Sequence, residues 1–259
     1  MLNFFDTNSF RPLVFGSGER AIVCFHGFGQ SPKVYSSLFG KKRHCTVYSF
    51  YLPNLSNPQS LIYQQPNYFE KYIEGFQAFL VNHSIGQFEI VAFSIGAKVA
   101  LSLAVPFSEQ ISHITLLAPD GVAKRPVYQL ATNTLLGRVL FKAVTQHFYP
   151  IVQYSVAVGV GLRLVPRSLL RVISYYANPT RRILIFTTWL NCRYFSPNLA
   201  VLKSKLSGKA TLELVLASTD NLIKPKHVKP LEDFFPSTEQ KILPTTHEKL
   251  ILAWINAIK

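Results

Sequence analysis

The chain has 259 residues, of which 48% are hydrophobic and 15% are charged, and its formal net charge is +14. This length and composition allow a sizeable buried core, in one domain with an insertion or in two domains. The cysteines, Cys24, Cys45 and Cys192, are odd in number and form no Cys-x-x-Cys pair, which argues against a disulfide framework and against a zinc site. From these cysteines we expect reduced thiols in a cytoplasmic protein. Residues 1–6 show no basic segment followed by a long apolar one, so we also expect no secretory signal.

Strand and helix patterns alternate along the chain, beginning with a buried strand. Continuous apolar runs predict strands at 21–25, 46–51, 89–93 and 114–117, and again at 212–216 and 240–243. Helical spacing of apolar residues predicts helices at 31–39, 66–80, from residue 95 onward, at 226–235 and at 248–258. Because the two types alternate at this spacing, we predict an α/β fold, a three-layer α/β/α sandwich with a mostly parallel sheet.

The excess positive charge lies in one segment. Between residues 122 and 209 there are 13 Lys or Arg residues and no Asp or Glu. Since the whole chain has 27 basic and 13 acidic residues, the remainder has 14 and 13, a net charge of +1. Such a compositional step marks a domain-level boundary, and it follows directly after the predicted strand at 114–117.

Residues 90–100 (IVAFSIGAKVA) have the pattern of a nucleophile elbow around Ser94. In an elbow, a sharp turn between a strand and a helix strains the serine backbone and lifts its Oγ clear of the sheet, so the flanking residues must be small. Gly96 satisfies this requirement on one side. Ala92 stands on the other side in place of the usual glycine and adds one methyl group.

Other strands deliver the partners that a serine nucleophile needs. Asp220 and His247 follow the predicted strands at 212–216 and 240–243, so Ser, Asp and His occur in that order at strand ends. A histidine base must take the serine proton, and a carboxylate must orient the imidazole. Asp120 also follows a strand and is an alternative acid. The backbone N–H groups of Phe28 and Ile95 are candidates to bind the oxyanion.

These motifs resemble the α/β-hydrolase fold superfamily. The resemblance implies that Ser94 is the nucleophile, His247 the base and Asp220 the acid, and that the turn at residues 26–29, which holds His26 and Gly27, is the oxyanion loop. It further implies a core at 1–121 and 208–259 and a basic, mainly helical cap at 122–207, inserted after the sixth strand of that fold. A serine nucleophile argues against dehalogenase or epoxide hydrolase chemistry, which uses a carboxylate.

We therefore expect a serine hydrolase that cleaves an ester or related acyl substrate through an acyl-enzyme, with no metal or cofactor. The alternatives are an acyltransferase or thioesterase with the same triad, and a non-catalytic ligand-binding protein of this fold. The basic segment, in which apolar helical patterns alternate with Lys and Arg, predicts an apolar or anionic substrate, peripheral contact with an anionic membrane, or only a solvated basic face. Nucleic acid is the weakest of the partners considered.

Overall fold

A computed structural model describes residues 10–42, 44–53, 62, 65–123 and 125–258 of the chain, except for the side chains of residues 168, 171 and 172. The described residues form a seven-stranded sheet with the strand order β1-β3-β2-β4-β5-β6-β7. The strands are β1 (Leu13–Gly16), β2 (Arg20–Phe25), β3 (Cys45–Phe50), β4 (Phe88–Phe93), β5 (Ile111–Leu117), β6 (Thr211–Ala217) and β7 (Glu239–Leu243). The prediction of no secretory signal concerns residues 1–6, which lie outside the described ranges.

Helices connect the strands. They are α1 (Leu38–Lys41), α2 (Tyr68–Asn82), α3 (Ile95–Ala104), α4 (Pro126–Asn133), α5 (Leu135–Gln146), α6 (Tyr149–Gly161), α7 (Ser168–Tyr175), α8 (Pro179–Cys192), α9 (Leu199–Leu206), α10 (Pro225–Phe234) and α11 (Leu250–Ala257). Short 3₁₀ helices at Pro32–Tyr35 and His247–Lys249 precede α1 and α11.

The sheet is mostly parallel, as predicted. The edge strand β1 runs antiparallel to β3, and every other neighbouring pair in the sheet is parallel. All six predicted strands are present, each lengthened or shifted by one to three residues. The additional strand β1 has only four residues, and their burial alternates between half-buried and exposed. Such a short, half-exposed strand produces no continuous apolar run, so the sequence pattern did not indicate it.

The core is built around β2 and β4. Every residue of β4 is buried, and in β2 only Arg20 is exposed. Strands that are buried on both faces need apolar side chains at successive positions, because helices cover both sides of the sheet. The flanking helices pack in separate groups, α1 against α11 and α9 against α3 and α10. This arrangement confirms the predicted α/β architecture.

The chain divides into two compact units. One contains the sheet and spans Met1–Ser56, Pro66–Lys124 and Tyr194–Lys259 as far as these ranges are described, and the other contains Asn57–Gln65 and Arg125–Arg193. The sheet unit includes residues 194–207, which the sequence analysis assigned to the cap. Their helix α9 buries Leu202 and Leu206 and packs on α3 and α10. The helical unit contains α4 to α8, and its function as a cap stays a prediction.

Cys24, Cys45 and Cys192 are buried, and no disulfide joins them in the part of the chain that the structure describes. Among the described residues, no helix is both long enough and apolar enough to cross a membrane.

Candidate active site

Ser94 occupies a strained turn at the carboxyl end of β4. Its backbone has φ 52° and ψ −122°, in the positive-φ region that side-chain-bearing residues rarely adopt. The turn is held on both sides, since the Ser94 N–H donates to the carbonyl of Leu117 at 3.0 Å and the Ser94 carbonyl accepts from the amide of Asp120 at 2.9 Å. Helix α3 begins at the next residue. The predicted elbow geometry is therefore present around Ser94.

Steric contacts explain why the residues that flank Ser94 are small. A Cβ atom on Gly96 would lie 2.5 Å from the carbonyl oxygens of both Phe25 and His26, which is too close for any side chain, because these are backbone atoms that cannot turn away. Ala92 is fully buried and sits between Phe25 and Leu116 in the parallel register. Its methyl group is accommodated there in place of the usual glycine.

His247 connects Ser94 to Asp220. Its Nε2 lies 3.2 Å from Ser94 Oγ, and its Nδ1 lies 2.6 Å from Asp220 Oδ2. Both His247 and Asp220 are buried. In this arrangement Nδ1–H donates to the carboxylate, which leaves the Nε2 lone pair directed at the serine hydroxyl. The structure thus brings the three predicted residues together in one hydrogen-bonded chain.

Asp220 is held in place by its own loop. Its Oδ1 accepts hydrogen bonds from the backbone amides of Leu222 at 2.7 Å and Ile223 at 2.9 Å, which leaves Oδ2 for His247. Burial alone raises the pKa of Asp220, but the hydrogen bonds from His247 and from these amides outweigh it and lower the pKa below its ordinary value. The carboxyl group is therefore ionised at neutral pH, as its contact with an imidazole N–H requires.

The loops that follow β6 and β7 are tied to each other. The amide of Ser218 donates to the carbonyl of Leu243 at 2.9 Å, and the hydroxyl of Thr219 donates to the carbonyl of Thr245 at 2.8 Å. These bonds extend the β6–β7 pairing past the end of the sheet. They set the distance between Asp220 and His247, which are 27 residues apart in sequence.

The turn after β2 is also braced from within. The amide of Gly27 donates to Gln30 Oε1 at 3.1 Å, and His26 Nδ1 donates to the Gly27 carbonyl at 2.8 Å. Phe28 follows in this turn and is half-buried, and Ile95 begins α3. An N–H at the first position of a helix has no acceptor within that helix. Both predicted oxyanion donors thus lie at the carboxyl ends of neighbouring strands, β2 and β4.

His26 is a neutral, structural histidine in this turn. Burial lowers its pKa, and the hydrogen bond to the Gly27 carbonyl offsets only part of that effect. With the proton on Nδ1, its Nε2 is an acceptor, and this atom is buried with no hydrogen-bond partner among the described residues. The imidazole therefore shapes the turn and is not the base that contacts Ser94.

Asp120, the alternative acid, has a different environment. Its Oδ1 accepts a hydrogen bond from the amide of Gly121 at 2.9 Å, and its own amide donates to the Ser94 carbonyl. The backbone of Asp120 therefore lies next to the elbow. The carboxylate oxygen within hydrogen-bond distance of His247 Nδ1 belongs to Asp220.

Two site residues were missed by the sequence analysis. The ring of Phe93 packs against the His247 imidazole with centroids 4.7 Å apart, and a Cβ on Gly27 would lie 2.5 Å from the same Phe93 ring. The Phe93 ring therefore lies between the His247 imidazole and Gly27 in the turn after β2. Gln30 holds the Gly27 amide, as described above. The signal for Phe93 was its place next to Ser94 in the elbow, whereas the sequence contains no comparable signal for Gln30.

No group of three or more His, Cys, Asp or Glu side chains among the described residues is arranged to hold a metal ion.

No protein-family profile matches this chain, and no curated protein matches it significantly. Solved structures match it over nearly its whole length. A thermophilic esterase from Thermogutta terrifontis is 11% identical with a TM-score of 0.63, and the match covers 95% of this chain and 90% of that one. A hydrolase from Pseudomonas aeruginosa is 15% identical with a TM-score of 0.62, covering 95% and 91%. The thioesterase domain of the curacin biosynthetic pathway is 14% identical with a TM-score of 0.59, covering 95% and 93%.

At these identities the likeness concerns the fold. The mostly parallel sheet with flanking helices and the near-complete coverage agree with the resemblance seen in the sequence. The chain has the α/β-hydrolase fold.

Proposed function

We propose that the protein is a serine hydrolase that cleaves a carboxylic ester or related acyl substrate through an acyl-enzyme on Ser94. The observation that carries this proposal is the position of His247, which lies within hydrogen-bond distance of both Ser94 Oγ and Asp220 Oδ2. A serine hydroxyl is a weak nucleophile at neutral pH, and a base oriented by a carboxylate is the arrangement that activates it. The strained backbone of Ser94 supports the same interpretation.

In the proposed reaction, Ser94 Oγ attacks the substrate carbonyl carbon while its proton passes to His247 Nε2. The carbonyl oxygen becomes an oxyanion, which the amides of Phe28 and Ile95 bind. The bond to the leaving alcohol then breaks, and the alcohol oxygen takes the proton from His247. Water attacks the acyl-enzyme with His247 again as the base, which releases the acid and restores Ser94.

Asp220 is the proposed acid of this triad. Its carboxylate holds the imidazole with the proton on Nδ1 and stabilises the imidazolium that forms when Nε2 takes the serine proton. The two amides that donate to Oδ1 support this role, because they fix the carboxylate before the substrate binds.

The alternatives differ in what accepts or carries the acyl group. A thioesterase would use the same residues on a sulfur ester, and an acyltransferase would pass the acyl group to an acceptor other than water. A cytoplasmic location is part of the proposal and is supported by the three buried cysteines, which no disulfide joins in the described residues.

The proposal is tested by labelling with a fluorophosphonate probe, which reacts covalently with an activated serine. We expect the wild type and a Ser204→Ala control to be labelled, since Ser204 lies on α9 with its hydroxyl bonded to the Val201 carbonyl. Ser94→Ala is expected to lose labelling entirely. If the wild type is not labelled, or if Ser94→Ala is labelled equally, the protein is not a serine hydrolase at this site.

A screen of p-nitrophenyl esters of increasing chain length, with matched thioesters and an added alcohol acceptor, then separates the alternatives. Faster turnover of thioesters would favour a thioesterase. Formation of a new ester with the alcohol would favour an acyltransferase.

A further inference from the structure

The helical unit carries most of the exposed large apolar side chains among the described residues. The described residues expose 24 large apolar side chains, and 16 of them lie between residues 125 and 193. They are Val127, Leu130, Leu135, Leu136, Val139, Leu140, Val144, Phe148, Ile151, Tyr154, Val158, Leu162, Leu164, Tyr175, Ile183 and Leu184. Single exposed apolar residues are normal on a protein surface, whereas a concentration of this size marks a contact surface.

Helix α5 exposes most of its large apolar side chains, unlike an ordinary helix of a globular protein. Leu136, Val139 and Leu140 are exposed, while Arg138 and Thr145 are buried. The usual arrangement places the apolar stripe toward the core and the charged residues toward water. The leucines of α5 are therefore exposed.

The inward side of α5 combines aromatic and polar contacts. Phe141 packs against Phe186 and Trp189 of helix α8, with ring centroids 5.4 Å and 5.3 Å apart. Arg138 donates to the carbonyls of Ile62 and Thr132, and Arg182 donates to the carbonyl of Thr145 at 2.8 Å from the neighbouring helix α8. Phe186 and Leu190 of α8 are buried as well. Because the buried Arg138 and the half-buried Arg182 donate to backbone carbonyls and Phe141 packs on α8, α5 is held in this orientation and its leucines remain exposed.

The segment after α6 presents leucine and arginine side by side. Leu162 and Leu164 are 64% and 76% exposed, and Arg163 and Arg167 are exposed beside them. Helix α6 itself has 13 residues without a charged side chain and exposes Ile151, Tyr154 and Val158. At roughly 20 Å it is too short to cross a bilayer core of about 30 Å, but it is long enough to lie in the interface.

The positive charge of the helical unit indicates which kind of partner matches its exposed surface. Residues 57–65 and 125–193 contain nine Lys or Arg residues and no Asp or Glu. A second copy of this surface would bring like charges together, so self-association is disfavoured. Apolar side chains flanked by cations match a surface that is apolar inside and anionic outside, which is a bilayer with anionic headgroups.

We propose that the exposed apolar side chains of residues 135–164, together with Arg163 and Arg167, form a docking surface for an anionic lipid bilayer. The leucines and valines enter the headgroup region, and the two arginines contact lipid phosphates. This inference goes beyond the proposed hydrolase activity and does not depend on it.

The test is flotation of the full-length protein with vesicles of phosphatidylcholine alone and of phosphatidylcholine mixed with phosphatidylserine. We expect binding to the mixed vesicles that weakens as salt is added, and little binding to pure phosphatidylcholine. Leu162→Glu with Leu164→Glu removes apolar contact and adds negative charge, so binding should fall at least about tenfold. Arg163→Gln with Arg167→Gln should also weaken binding and reduce its dependence on salt.

Matched controls come from the sheet unit. Val81→Glu with Leu252→Glu changes two side chains that are similarly exposed, and Lys203→Gln with Lys205→Gln removes two exposed charges from the same acid-free stretch. Both pairs, and Ser94→Ala, should bind like the wild type. Thermal unfolding of each variant verifies that it is folded.

Three results would overturn the proposal. The first is binding that does not depend on phosphatidylserine. The second is an equal loss in the control pairs. The third is a wild type that does not bind vesicles but sediments as a dimer that Leu162→Glu with Leu164→Glu dissociates, because the surface would then contact a second copy of the chain.

Discussion

Two aspartates of this chain follow strands but have different hydrogen-bond partners. Asp120 and Asp220 both follow a strand that ends near Ser94. The Asp120 carboxylate caps its own turn at Gly121, whereas the Asp220 carboxylate is shared between two loop amides and His247. The difference lies in the neighbours that the tertiary structure supplies.

We therefore predict different effects from the same substitution at the two positions. Asp220→Asn keeps the size of the side chain but removes the charge that holds the His247 proton on Nδ1, so kcat/KM for a p-nitrophenyl ester should fall about 10³- to 10⁴-fold. Asp120→Asn retains Oδ1 as an acceptor for Gly121 and should stay within about tenfold of the wild type. Steady-state kinetics of the two variants measures this. The reverse ranking would make Asp120 the acid.

At the scale of elements, the elbow depends on how closely α3 approaches the end of β2. The space that a Gly96 Cβ would need is occupied by the carbonyl oxygens of Phe25 and His26. The helix N-terminus and the turn at residues 26–29 are therefore in direct contact. Any side chain at residue 96 would separate them.

Gly96→Ala is accordingly expected to destabilise the protein by about 1–3 kcal/mol, because overpacking against backbone forces α3 away from β2. Gly40→Ala is the matched control, since a Cβ at Gly40 meets nothing within 4 Å, and alanine in a helix is neutral or stabilising by up to about 1 kcal/mol. Urea unfolding of both variants gives the comparison. Equal stability of the two variants would contradict the close approach that we describe.

At the scale of the whole molecule, buried carboxylates link stability to pH. Burial by itself raises the pKa of Glu213, but its interaction with His113 and the hydrogen bonds from Lys241 and Thr115 lower that pKa to about 2. A carboxyl group with a lowered pKa in the folded state stabilises the protein above its unfolded pKa. That contribution is lost as the pH falls toward the folded pKa.

We predict that Glu213→Gln lowers the free energy of unfolding by about 2 kcal/mol at neutral pH. This figure is smaller than the full pKa shift implies, because solvent screens the interaction with the half-exposed Lys241. The difference from the wild type should be constant above about pH 5 and should shrink as the pH is lowered toward 3. Urea unfolding across this range measures it, with Glu239→Gln as the control, since Glu239 also contacts Lys241 but is exposed. If the difference in free energy of unfolding between the wild type and Glu213→Gln does not change with pH, the charge of Glu213 does not stabilise the folded protein.

Much of the fold and of the candidate site was predictable because it rests on local patterns. A strand buried on both faces must be apolar at every position, so β2 and β4 were visible in the sequence. Ser94, Asp220 and His247 were predicted to lie together because each follows a strand, and the structure brings them within hydrogen-bond distance. Their catalytic roles stay a proposal. The short edge strand β1 was missed, because its four residues alternate in exposure and produce no apolar run.

The alternation of strands and helices, the elbow pattern at Ser94 and the acid-free composition of residues 122–209 each follow from the residue types of one segment, so they could be read from the sequence. Tertiary contacts were needed to establish that Asp220 contacts His247, that Phe93 packs on that imidazole, that α9 belongs to the sheet unit and that the leucines of α5 are exposed. These facts depend on which distant segments meet. Hydrophobic periodicity shows which face of a helix is apolar, but the face that is buried depends on the neighbouring segments. For α5 these supply the carbonyls that accept from Arg138 and the rings that pack on Phe141.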